Sequence, residues 1–110
     1  MSTVHVPWYA TVLRSDGLEE ALQEIVPLSL RYGASKYFVF RGGDDRYRFS
    51  TYFVFDDAVD WERYWYGPEF NEWREKYSSW YQIPVVYDKG TTVSEGRSEI
   101  LEPAVEGGPA

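Results

Sequence analysis

Few residue types in this chain could carry out acid–base or nucleophilic chemistry. Histidine occurs once, at His5, and cysteine not at all, so no thiolate, disulfide or sulfur-ligated metal is expected. There is no serine elbow, zinc signature or dinucleotide fingerprint, and Gly42-Gly43 lacks the spacing of a phosphate loop. What the chain has in excess is rings. Between Trp61 and Tyr81 lie four of its five tryptophans, with Tyr64, Tyr66, Phe70, Tyr77 and Tyr81. Indoles and phenols need partners for their N–H and O–H that Leu or Ile would not. Core packing explains such a stripe; a ring-lined cavity for a flat aromatic molecule explains it as well. In the second reading Tyr9, Tyr37, Tyr64, Trp65, Tyr66 and Trp73 clamp the ring. His5, Arg41 or Arg74 then holds a phenolate or carboxylate, and His5 is of the residue type suited to accept a proton at a pocket mouth.

The other charged residues have structural explanations. Asp44-Asp45 and Asp56-Asp57 stand where turns or helix starts are expected, and converging metal ligands are missing, so no metal and no cofactor is expected. Glu62, Glu69, Glu72, Arg74, Glu75 and Lys76 read together as a solvated helix face. The formal charge of −7, from 18 acidic and 11 basic residues, repels phosphate backbones and anionic lipid, so neither nucleic acid nor a membrane is an expected partner. No run of about 18 apolar residues could span a bilayer. The first seven residues lack the basic start and apolar core of a signal peptide, which makes the cytoplasm the expected compartment.

Six elements must position these residues. Val4–Arg14 has strand composition, and Pro7 requires it to begin near that residue or to run along an edge. Ser15 or Asp16 should cap a helix carrying Leu18, Leu22, Ile25, Val26 and Leu30, broken by Pro27 and closed by Gly33. Lys36–Arg41, unbroken by any turn residue, suggests a strand covered on both faces. Gly42–Asp45 turns the chain into a second strand, Tyr47–Asp56. A second helical region runs from Ala58 to Tyr81, interrupted at Gly67-Pro68, and a last strand spans Ile83–Tyr87. No aromatic residue follows Tyr87. Residues 1–91 therefore form the expected domain and 92–110 a flexible acidic tail, in which Ile100 and Leu101 could dock on a neighbour.

The order strand-helix-strand-strand-helix-strand is the α+β, ferredoxin-like βαββαβ arrangement, a four-stranded antiparallel sheet with two helices on one face. Its second face should be polar, yet both parities of the third strand carry rings or branched aliphatics: Tyr47, Phe49, Thr51, Phe53 and Phe55 on one, and Arg48, Ser50, Tyr52 and Val54 on the other. A monomer seldom leaves so large an apolar face wet. A homodimer through the sheet face covers it, with Phe53 expected on the side that meets the partner; the tail or amphipathic tyrosines are the other candidate cover.

These features resemble the dimeric α/β-barrel superfamily, and in particular its antibiotic biosynthesis monooxygenase-like branch. The resemblance rests on the split strand-helix pattern, on the stretch Asp60-Trp61-Glu62-Arg63-Tyr64-Trp65-Tyr66-Gly67-Pro68-Glu69-Phe70-Asn71-Glu72-Trp73-Arg74 and on Ile83-Pro84-Val85. It implies a dimeric barrel, and a scaffold that serves many activities. Haem-degrading and cyclase-type members carry a helix-region histidine, which is missing here between Ala58 and Tyr81. Cofactor-free monooxygenases of the superfamily use Trp, Asn, Tyr and Arg around a polyphenol, and Trp65, Asn71, Trp73 and Arg74 are the matching types. The resemblance thus implies a small-molecule enzyme or binder for an aromatic or polyketide-like metabolite. A non-catalytic dimeric module with a filled core is the alternative, and a dense interior would favour it.

Overall fold

The computed structural model describes residues 1–98. A four-stranded antiparallel sheet in the order β2-β3-β1-β4 carries three helices and a 3-10 stretch on one face. Strand β1 is Ser2–Tyr9 and β3 is Arg48–Phe55, paired with Val4 opposite Phe53, Val6 opposite Thr51 and Trp8 opposite Phe49. All six of these side chains are buried, so period-2 alternation puts one parity of each strand into the core. Strand β1 is central, not an edge. Pro7 is tolerated because β4 covers only Ser2–His5, leaving β3 as the one neighbour at Pro7.

Helix α1 is Ser15–Ile25, burying Leu18, Ala21, Leu22 and Ile25. Its capping position is Arg14, without a side-chain hydrogen bond, so neither Ser15 nor Asp16 is the cap; both lie inside the first turn. At Pro27 the chain tightens into the 3-10 stretch Val26–Tyr32, and Gly33 closes it at φ 108°. That left-handed backbone requires glycine, and a Cβ there would also strike the Asp60 carboxylate. Strand β2 is Ala34–Arg41. Helix α2, Ala58–Trp65, is capped by the Asp57 carboxylate, which accepts from the Val59 N–H at 3.0 Å. Helix α3 is Pro68–Lys76, with Pro68 at its first position.

The last strand lies elsewhere than expected. Strand β4 is Asp88–Thr91, not Ile83–Tyr87, and all four of its residues are exposed. Pairing with Ser2–His5 uses backbone groups that any sequence supplies. In the preceding segment Val85 and Tyr87 are half-buried against the core, while Ile83 and Val86 face solvent. Just past the expected domain boundary, the Thr92 N–H donates to the Met1 carbonyl at 3.0 Å. Ile100, Leu101 and the remainder of the expected tail lie outside the described residues.

The sheet separates its two faces cleanly. Phe49, Thr51, Phe53 and Phe55 face the helices, so Phe53 belongs to the core and not to the outer face where a partner was expected. Strand β2 is an edge strand covered on one side only. Tyr37, Val39 and Arg41 are half-buried, whereas Phe38 and Phe40 are each 53% exposed. The contrast between a core ring and the displaced strand is measurable by urea denaturation. Phe53→Ala is expected to cost about 3–5 kcal/mol. Ile83→Ser should stay within about 0.5 kcal/mol, because Ile83 is solvent-exposed outside the ladder. A loss of 2 kcal/mol or more at Ile83 would restore the strand expected there.

Candidate functional site

The rings of the helical region fill the space between sheet and helices. Trp8 meets Trp73 and Tyr81 edge-on, with centroids 5.5 and 5.1 Å away, and Trp65 meets Phe70 at 4.7 Å. Their polar tips are used within the fold. The Trp8 indole donates to Thr51 Oγ1 at 3.1 Å, the Trp73 indole to the Ala21 carbonyl at 2.8 Å and the Tyr64 hydroxyl to the Ile25 carbonyl at 2.7 Å. Burial pushes the Tyr64 phenol far above its ordinary pKa and keeps it neutral. Tyr64 and Trp73, expected as clamps, are thus placed inside the core.

An open cleft of about 530 Å³ lies on the outer side of α3, lined by Asn71, Arg74, Glu75, Ser78 and Tyr81. Spacings of three and four bring Asn71, Arg74, Glu75 and Ser78 to one side of the helix and of the turn that follows it. The helix break explains the rest. Because α2 ends at Gly67-Pro68 and Pro68 has no N–H, the last carbonyls of α2 need other donors. Arg74 Nη2 donates to the Trp65 carbonyl at 2.7 Å and to Asn71 Oδ1 at 2.6 Å, and Asn71 Nδ2 donates to the Tyr66 carbonyl at 3.1 Å. The guanidinium lies over Trp65 and Phe70, 4.3 and 4.9 Å from their centroids. Arg74 is thus half-buried rather than part of a solvated face. Its Nη1 is buried and has no acceptor. Burial lowers the Arg74 pKa, yet a guanidinium remains charged. Burial also raises the Tyr81 phenol, whose hydroxyl reaches the Arg74 carbonyl at 3.4 Å.

The structure brings Trp65, Tyr66, Asn71 and Arg74 together and leaves the other candidates apart. His5 is on the opposite face of the sheet, stacked on Tyr52 at 4.5 Å with Nε2 3.1 Å from Ser50 Oγ. One chain therefore cannot bring His5 to Arg74. The Tyr9 hydroxyl donates to Asp45 Oδ2 at 2.6 Å, a bond that raises the Tyr9 phenol and lowers the Asp45 carboxyl. Tyr37 packs half-buried on the core. Arg41 Nη1 is held by Glu19 at 2.6 Å and Asp16 at 3.0 Å, tying β2 to α1. Glu75, Ser78 and Tyr81 complete the cleft and were missed. The 71-75-78 spacing marks the first two, whereas nothing local distinguishes Tyr81. Among the described residues, no group of three or more His, Cys, Asp or Glu could hold a metal, and no helix is long and apolar enough to cross a membrane.

No protein-family model and no curated protein sequence matches the chain. Solved structures do. A protein from Nitrosomonas europaea, provisionally named an antibiotic biosynthesis monooxygenase, superposes with a TM-score of 0.77 at 18% identity, covering 86% of this chain and 100% of its own. A Pseudomonas aeruginosa protein gives 0.74 at 19% identity, over 84% and 94%. SnoaB, a cofactor-independent oxygenase from Streptomyces nogalater, gives 0.72 at 13% identity, over 86% and 95%. The chain has the ferredoxin-like fold of the antibiotic biosynthesis monooxygenase-like proteins.

The helix break is also a packing constraint. A Cβ on Gly67 would stand 2.5 Å from the Arg63 carbonyl oxygen and 3.2 Å from the Tyr32 hydroxyl. Gly67→Ala is therefore expected to cost about 1–3 kcal/mol in thermal or urea denaturation. Pro68→Ala, which only frees the unfolded chain, should cost less than about 1 kcal/mol. Parental stability in Gly67→Ala would show that the close approach is not real.

Proposed function

We propose that this chain is a small-molecule enzyme or binder whose site is the Arg74 cleft and whose ligand is an aromatic molecule bearing an oxyanion. The observation that carries the reading is Arg74 itself: a guanidinium seated on two rings, with one nitrogen buried and unpaired, in a chain of net charge −7. An unpaired buried donor costs about 1–3 kcal/mol, which an acceptor on a ligand would recover. A planar phenol fits a site of this chemistry. The positive charge stabilises the phenolate over the phenol, and Glu75 on the cleft wall is the carboxylate available to take the proton. An electron-rich phenolate can reduce O2 directly, so cofactor-free oxygenation needs no partner beyond substrate and O2. The likeness to SnoaB supports that chemistry at the level of fold.

One observation favours a second reading, a non-catalytic dimeric module: the interior rings pack on one another, and Trp8, Tyr64 and Trp73 use their polar tips within the fold. Titrating 1-naphthol against tryptophan fluorescence, with O2 uptake followed by electrode, separates the two. The site reading expects saturable quenching that weakens at least tenfold in Arg74→Gln, about 1.4 kcal/mol, and two- to fivefold in Asn71→Ala. Binding that is unaffected by Arg74→Gln refutes this site, and absence of any binding leaves the module reading.

We also propose that two copies pair through the outer sheet face, a reading supported by the exposure of Phe38 and Phe40 beside Tyr52. Sedimentation at micromolar concentration should find a particle of twice the chain mass, and the Phe38→Asp, Phe40→Asp variant a folded monomer. A monomeric parent would refute the pairing.

A further inference from the structure

Between α3 and β4, Ile83–Tyr87 has no regular secondary structure, and among the described residues no backbone–backbone hydrogen bond ties this segment to the rest of the fold. Ile83 and Val86 are 76% and 67% exposed, while Tyr87 turns in against the core. The Tyr87 ring stands edge-on to two indoles, 5.1 Å from Trp61 and 5.5 Å from Trp65, at 73° and 70°. These indoles stack on each other at 5.2 Å, one turn apart on α2. The neighbouring Tyr87 hydroxyl raises the Tyr66 phenol above its ordinary pKa. Three charged groups act on this hydroxyl pair: Arg74, Glu62 and Lys89, the last bonded to Glu62 at 3.0 Å. Trp61, against which this ring rests, is fully buried, and its indole N–H has no acceptor.

We propose that Tyr87 is a built-in occupant of a phenol site formed by Trp61, Trp65 and Tyr66, and that the Ile83–Tyr87 segment is a strap which a hydroxyaromatic ligand displaces. The class of ligand rests on the functional reading above; the location and the displacement do not. An incoming ring keeps the edge-on contacts with both indoles, and its hydroxyl takes the place of the Tyr87 phenol beside Tyr66. A carbonyl or second hydroxyl on it supplies the acceptor that the Trp61 N–H lacks, so displacement satisfies a donor that the strap leaves unpaired. Opening is cheap because the strap holds few hydrogen bonds and much exposed apolar surface. Trp65 joins the strapped position to the Arg74 cleft, since the guanidinium lies on the same indole that Tyr87 abuts. The two positions suit a ligand of more than one fused ring.

The test uses the full chain and the probe 1,8-dihydroxynaphthalene. Tyr87→Ala, shown to be folded by circular dichroism, should bind at least tenfold tighter than the parent, because the internal competitor is gone. In the parent, a spectrum of the five tryptophan indole N–H groups, with Trp61 assigned through Trp61→Phe, should show the Trp61 proton moving as the probe saturates. This second measurement needs no folded Tyr87 variant. Unchanged or weaker binding in folded Tyr87→Ala, or a Trp61 signal that stays still at saturation, overturns the strap. If Arg74→Gln loses the probe while Tyr87→Ala binds it like the parent and Trp61 stays still, the cleft survives and the strap fails. If no variant binds, both fail.

Discussion

The Gly67-Pro68 break is the constraint on which the candidate site depends. A continuous helix would have consumed its own carbonyls. Ending α2 there leaves those of Trp65 and Tyr66 in need of donors, and Arg74 and Asn71, about two turns and one turn into α3, supply them. The guanidinium is thereby drawn off the solvated side of the helix and laid over Trp65 and Phe70. A cation that a regular helix would hold in water becomes half-buried, with one nitrogen unused. The same device that turns the chain also makes the charge at the cleft.

The abundance of indoles and phenols has a structural purpose that Leu could not serve. Through their polar tips, Trp73 ties α3 to the Ala21 carbonyl of α1, Tyr64 ties α2 to the end of α1, and Trp8 bridges β1 to Thr51 of β3. Each such bond contributes about 1 kcal/mol net, and each fixes the relative position of two elements as apolar contact alone would not. The interior is thus both apolar and cross-linked. Among the described residues three buried polar ends lack partners, Ser29 Oγ, Arg74 Nη1 and Trp61 Nε1, and the last two belong to side chains that contact Trp65. Through that shared indole the cleft adjoins the position held by Tyr87.

Fold likeness to cofactor-independent oxygenases establishes the scaffold, and a scaffold of this kind hosts many chemistries. Arg74 and its neighbours, rather than the scaffold, distinguish this chain's proposed site. The sheet itself separates His5 from that cleft. The helical face carries the cation and the rings. The outer face carries exposed Phe38 and Phe40 with the stacked His5, Tyr52 pair.

Local rules made much of this legible in the sequence. The order of elements, the left-handed closure at Gly33, the Asp57 cap and the break at Gly67-Pro68 follow from backbone preferences that act over a few residues. So does the presence of two apolar parities in β3, since alternation is a property of the strand. Which parity faces the helices is not local, and Phe53 went to the core because the helices chose that side. Position β4 was illegible because an edge ladder is built from backbone groups, and Asp88-Lys89-Gly90-Thr91 carries no apolar rhythm to announce it. The same limit applies to the site. Sequence supplied the residue types, but whether a ring fills a core or lines a cavity depends on what stands opposite it, and an arginine on a polar stripe is buried only when a distant carbonyl has been left without a donor.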